Sequence, residues 1–69
     1  MAEVPLRNRL KEMRAKLGLT QAELAARVSV SRKTVNTVEN GVFVPSTILS
    51  LKLAAALGCK VEDLFQLAE

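Results

Sequence analysis

The sequence predicts an all-α domain built from five short helices. Three observations carry this expectation. Apolar residues recur at three- and four-residue spacing, capping residues (Thr20, Ser31, Ser46) stand just ahead of three of the recurrences, and Gly18, Gly41 and Gly58 stand just after three of them. Sixty-nine residues leave room for one domain, residues 1–69. With 49% apolar and 25% charged residues, the chain is composed like a globular domain and not like a disordered one.

Leu6, Leu10, Met13 and Leu17 fall at i, i+4, i+7 and i+11, one stripe of a first amphipathic helix. Pro5 suits its first turn and Gly18 its stop. Thr20-Gln21-Ala22-Glu23 is a capping box that opens a second helix, which buries Leu24, Ala25 and Val28. The β-branched, cap-rich stretch Val28-Ser29-Val30-Ser31 limits that helix to about two turns. Ser31 is a good N-cap for a third helix over 32–39, with Val35 and Val38 inward and Asn40-Gly41 closing it. Residues 42–45 form a loop. Ser46 caps a fourth helix that runs to Leu57, with Leu49, Leu53 and Leu57 as its inner row and Ala54 beside them. A fifth helix, about 61–66, offers Val61, Leu64 and Phe65. Extended backbone is expected only at the ends, in 1–4 and 65–68, where 65–67 would pair as an edge strand with 2–4.

Composition excludes several classes. One cysteine, Cys59, and no histidine leave no disulfide framework, no zinc finger and no His-based catalysis. There are no paired carboxylates in a plausible cleft and no phosphate-binding glycine loop, so an enzyme is not expected and no cofactor is implied. No apolar run reaches membrane-spanning length, and charges from Arg7 to Arg14 break up the N-terminus as a signal peptide. A small cytoplasmic domain is therefore expected, without a membrane partner, an evident small-molecule ligand or a second, sensing domain. The net charge of +3 hides an asymmetry. Residues 1–33 carry eight cations against three carboxylates, net +5, while residues 34–69 carry two against four, net −2. A basic half suits a polyanion on one face.

Two short helices joined by a brief turn, the second polar and basic outside, describe a helix-turn-helix over about 21–39. The motifs are Leu17-Gly18-Leu19-Thr20-Gln21-Ala22-Glu23-Leu24-Ala25, Val30-Ser31-Arg32-Lys33-Thr34-Val35, Val38-Glu39-Asn40-Gly41 and Pro45-Ser46. With the tail Leu53-Ala54-Ala55-Ala56-Leu57-Gly58-Cys59 and Glu62-Asp63-Leu64-Phe65, the chain resembles the Cro/CI-type (Xre) helix-turn-helix regulators over roughly residues 7–66. There are two departures from the family pattern. Ser29 holds the turn position usually given to glycine, and Lys60 stands where a capping Ser, Thr or Asp is usual.

The resemblance implies a five-helix lambda-repressor-like DNA-binding domain. It also implies a transcriptional regulator, in particular a repressor acting as a homodimer on a pseudo-palindromic operator in double-stranded DNA. Its third helix would enter the major groove, with Ser31, Arg32, Lys33, Asn36 and Thr37 on base edges. Residue chemistry agrees: Arg and Lys bond guanine, Asn pairs with adenine, and a Thr methyl touches thymine. Cations in the first turn of a helix oppose its dipole, so helix stability alone does not account for Arg32 and Lys33. Gln21 and Asn40 match the family's phosphate-binding positions, with Thr34 and Ser46 as further phosphate donors; Ser46 has an equal claim as a plain cap. Arg14 and Glu39 match a buried structural ion pair. A C-terminal region of about 58–69 would supply the dimer interface, through Cys59, Leu64, Phe65 and Leu67, with Ile48, Leu51 and Ala55 of the fourth helix as surplus apolar surface. The alternative is an antitoxin-like or coactivator-like module that acts chiefly through a protein partner.

Overall fold

A computed structural model describes residues 6–67. In chain order the elements are β1 (Leu6–Asn8), α1 (Leu10–Lys16), α2 (Gln21–Val28), α3 (Arg32–Glu39), α4 (Thr47–Leu57), α5 (Val61–Leu64) and β2 (Phe65–Leu67). Each helix contributes to one shared core, where Leu10, Leu24, Val35, Val38, Leu53 and Leu64 are fully buried. Met13, Val30, Leu49 and Phe65 pack half-buried around them. The fold is the mostly helical, five-helix one that the sequence predicts.

Local chemistry sets the helix starts. Thr20 Oγ1 accepts from the Glu23 N–H at 3.0 Å and Glu23 accepts from the Thr20 N–H at 2.9 Å, so the capping box is complete. That bonding holds the Glu23 carboxyl below its ordinary range. The cap's contribution is therefore present at neutral pH and fades as acid brings pH down through that lowered range. Ser31 and Ser46 cap α3 and α4 in the same way, accepting from Thr34 and Leu49 N–H at 3.2 and 3.1 Å. Lys60 has no acceptor to offer α5. Instead the Asp63 carboxylate reaches back to the Lys60 N–H at 3.0 Å.

The chain ends differ from the expectation in two ways. The first helix begins at Leu10, and Leu6 lies in a strand. Asn8 Oδ1 accepts from the Leu10 N–H at 2.9 Å, which fixes the start of α1, and the Arg9 N–H donates to the Leu64 carbonyl at 2.8 Å. The apolar stripe thus shrinks to Leu10 and Met13. Leu17, past the last helical residue and before the left-handed Gly18, is 53% exposed. Pro5 lies outside the described residues. The fifth helix ends at Leu64, because Phe65 turns extended (φ −127°, ψ 129°) to start β2. That strand pairs antiparallel with β1 in the register Leu6↔Leu67, Arg7↔Gln66 and Asn8↔Phe65. Its partner is therefore Leu6–Asn8, while residues 2–4 lie outside the described residues.

Candidate nucleic-acid interface

Helices α2 and α3 are joined by Ser29, Val30 and Ser31. Ser29 is the left-handed residue (φ 60°, ψ 43°) that turns the chain. Val30 follows it into contact with the core, and its N–H donates to the Ala25 carbonyl at 3.0 Å. Ala25, small and buried, lets the two helices approach. The corner leaves Ser31, Arg32 and Lys33 exposed at the front of α3, with Thr34, Asn36 and Thr37 half-buried behind them.

A hydrogen-bonded cluster fixes α3 against α1 and α2. Arg14 Nε donates to Glu39 Oε2 at 2.6 Å and Nη2 to Oε1 at 3.3 Å, while Nη1 donates to the Leu19 carbonyl at 2.7 Å. The two side chains are only 14% and 2% exposed. Gln21, the first residue of α2, donates through Nε2 to Glu39 Oε1 at 2.9 Å and to Asn36 Oδ1 at 3.1 Å. Its Oε1 accepts from Arg32 Nη1 at 3.1 Å. Asn40 Nδ2 adds a bond to Asn36 Oδ1 at 3.3 Å. Every partner here is complementary, so the buried Glu39 charge is paired and its lone pairs are used.

The other site residues are divided. Ser31 and Ser46 spend their oxygens as helix caps, and Thr34 Oγ1 lies 3.0 Å from Ser31 Oγ. Thr37 Oγ1 donates back to the Thr34 carbonyl at 2.9 Å. Lys33, Thr34, Thr37, Val42 and Phe43 line a shallow groove beside α3. Phe43 is held there by the loop, since the Val42 and Phe43 N–H groups both donate to the Thr37 carbonyl. Asn36 differs from expectation: with its oxygen engaged by Gln21 and Asn40, it has its NH2 group to offer a base and not a donor–acceptor pair. Asn8 carries no signal in the sequence, yet its Nδ2 donates to the Val38 carbonyl near the end of α3.

The C-terminal residues also need a correction. Leu64 is fully buried in the domain's own core and has no surface to give a second copy. Cys59 and Phe65 are half-buried against that core, and burial pushes the Cys59 thiol up, away from the reactive thiolate. Leu67 alone of the four is well exposed, at 65%. On α4, Ile48 and Leu51 are exposed as well, at 69% and 58%.

A capped helix, a three-residue corner and an exposed basic helix front locked from behind define a DNA-binding helix-turn-helix domain. The helix-turn-helix family model matches residues 10–64. YgzD of Bacillus subtilis (strain 168), an uncharacterised HTH-type transcriptional regulator, is 44% identical over 64 residues, which cover 93% of this chain and 97% of YgzD. Among solved structures, the restriction-modification controller protein C.AhdI from Aeromonas hydrophila superposes with a TM-score of 0.78. Its identity is 40%, over 83% of this chain and 86% of C.AhdI. The P22 c2 repressor in complex with synthetic operator 9T gives a TM-score of 0.76 at 31% identity, over 78% of this chain and 82% of the repressor. The chain belongs to the Cro/CI-type (Xre) helix-turn-helix family of DNA-binding transcriptional regulators, which are not enzymes.

Proposed function

We propose that this regulator is a sequence-specific repressor that binds a pseudo-palindromic operator as a homodimer, in the cytoplasm on nucleoid DNA. The observation that carries the reading is the exposed front of α3, where Arg32 and Lys33 stand on a helix that Gln21, Glu39 and Arg14 lock in place. In this reading Arg32 and Lys33 take guanine O6 and N7, Asn36 donates to a single base acceptor, the Thr37 methyl meets thymine, and Ser31 lies at the helix entry. Gln21, through its backbone N–H at the start of α2, and Thr34, Asn40 and Ser46 hold phosphates on either side and set register without reading sequence. The repressor role is supported by the likeness to the P22 c2 repressor. The homodimer is supported by apolar side chains that the domain leaves outside its core, Ile48, Leu51 and Leu67.

Selection of bound duplexes from a random pool, followed by anisotropy titration across a salt series, tests this function. Binding should weaken by about tenfold or more between 50 and 200 mM salt as several counterions are released per protomer. Arg32→Ala should cost about 1–3 kcal/mol and relax preference at one base pair per half-site. If no duplex is enriched, or affinity does not change with salt, the protein-partner alternative replaces this reading.

A further inference from the structure

We propose that Glu39, too deeply buried to reach DNA, is a positioning residue for base reading: through the Gln21 amide it fixes where the Arg32 guanidinium waits. The inference deepens the proposed function and rests on Arg32 being a base-reading residue. Its basis is donor and acceptor chemistry. A carboxylate can only accept, and Glu39 Oε1 stands 2.9 Å from Gln21 Nε2. The amide must therefore turn its NH2 inward. Asn36 Oδ1, at 3.1 Å, takes the other hydrogen. Both N–H bonds being spent, the Gln21 carbonyl oxygen faces outward, where it accepts from Arg32 Nη1 at 3.1 Å. Turning the amide over would set an oxygen against a carboxylate and an NH2 against a guanidinium. A buried charge thus decides the orientation of a half-buried amide, and the amide decides the resting place of an exposed arginine.

The consequence is preorganisation. A free arginine on a helix surface samples many rotamers, and ordering it on DNA opposes binding. Held by Gln21, it meets the groove from one position. Arg14 pairs with Glu39 but makes no bond to Gln21 or Arg32, so stability and positioning can be separated by mutation.

Three variants make that separation. Glu39→Gln keeps the size, but its amide can face Gln21 with either its oxygen or its NH2, so the Gln21 amide is no longer held one way round. Gln21→Met cuts the relay in its middle and leaves the Arg14–Glu39 pair intact. Arg14→Lys weakens the pair and leaves the relay in place. The readout is a ratio of dissociation constants, for the selected operator and for one altered at the base pair whose discrimination Arg32→Ala abolishes. The wild-type ratio is measured first; its absence would count against the base-reading function itself. Glu39→Gln and Gln21→Met should each lower the ratio about tenfold, and the double variant should lower it no further than Gln21→Met alone. Arg14→Lys should lower urea resistance and preserve the ratio. A ratio retained in Gln21→Met, or lost equally in Arg14→Lys, overturns the proposal. Should Glu39→Gln fail to fold, the comparison of Gln21→Met with Arg14→Lys decides alone.

Discussion

At Ser29 the backbone takes the left-handed conformation that L-residues other than glycine, asparagine and aspartate seldom adopt. The turn requires it: α2 must stop and α3 must leave at an angle within three residues. A side chain there costs of order 1 kcal/mol, partly offset in the unfolded chain by serine's smaller backbone freedom. Ser29→Gly should therefore raise stability by about 0.5–1 kcal/mol, seen as an upward shift of a few degrees in thermal melting, with operator affinity unchanged. A melting temperature that falls would show that the serine makes a compensating contribution. Ser29 was legible in the sequence because the requirement is local and sits at a position the motif marks. Asn8 was not. Its two partners, the Leu10 N–H and the Val38 carbonyl, meet only after α1 and α3 have packed together. The Gln21–Arg32 contact was hidden for the same reason, since each side chain alone has many possible partners.

Among the elements, those with a cap of their own were the readable ones. Thr20, Ser31 and Ser46 each accept from a backbone N–H three residues on, an interaction wholly contained in a four-residue window. α1 lacks such a window. Leu6 has the right helical spacing, but pairing with Leu67 across the whole chain draws it into β1, and local periodicity cannot report a partner that remote. α5 is a single turn without the usual cap residue, and it ends where Phe65 turns extended to begin β2. Asn8 is the hinge between the two outcomes, and its removal tests the account. Asn8→Ala should destabilise the domain by about 1–2 kcal/mol in urea denaturation, with α1 and the strand pair losing hydrogen-exchange protection before α2 and α3 do. Uniform loss of protection across all five helices would contradict that role.

For the whole molecule, the central question is what covers the apolar residues left outside the core. A single recognition helix spans too few base pairs to select a genomic site, and a two-fold pair spaces two of them by one turn of DNA. Ile48, Leu51 and Leu67 are uncharged and mostly exposed, outside the domain's buried core. Leu51→Asp and Leu67→Asp, each on an exposed position, should leave the fold intact, with thermal melting lowered only by the stabilisation that association supplies. Sedimentation equilibrium at micromolar protein should show wild-type dimers, with at least one of the two variants shifted to monomer. Operator affinity should fall with it, because half-sites would then be bound one at a time. A wild-type chain that is monomeric at every concentration would exclude this assembly.

The strand pair has a topological consequence. Leu6 and Leu67 are register partners, so the two ends of the described chain lie about one strand spacing, roughly 4.8 Å, from each other. Within the described residues the domain closes on itself where β1 meets β2. Joined across that gap and reopened in the loop at 42–45, the chain would still carry α1, α2 and α3, with Gln21, Arg32 and Glu39, on one unbroken stretch. In such a rearranged chain the surface assigned to DNA would keep its connectivity.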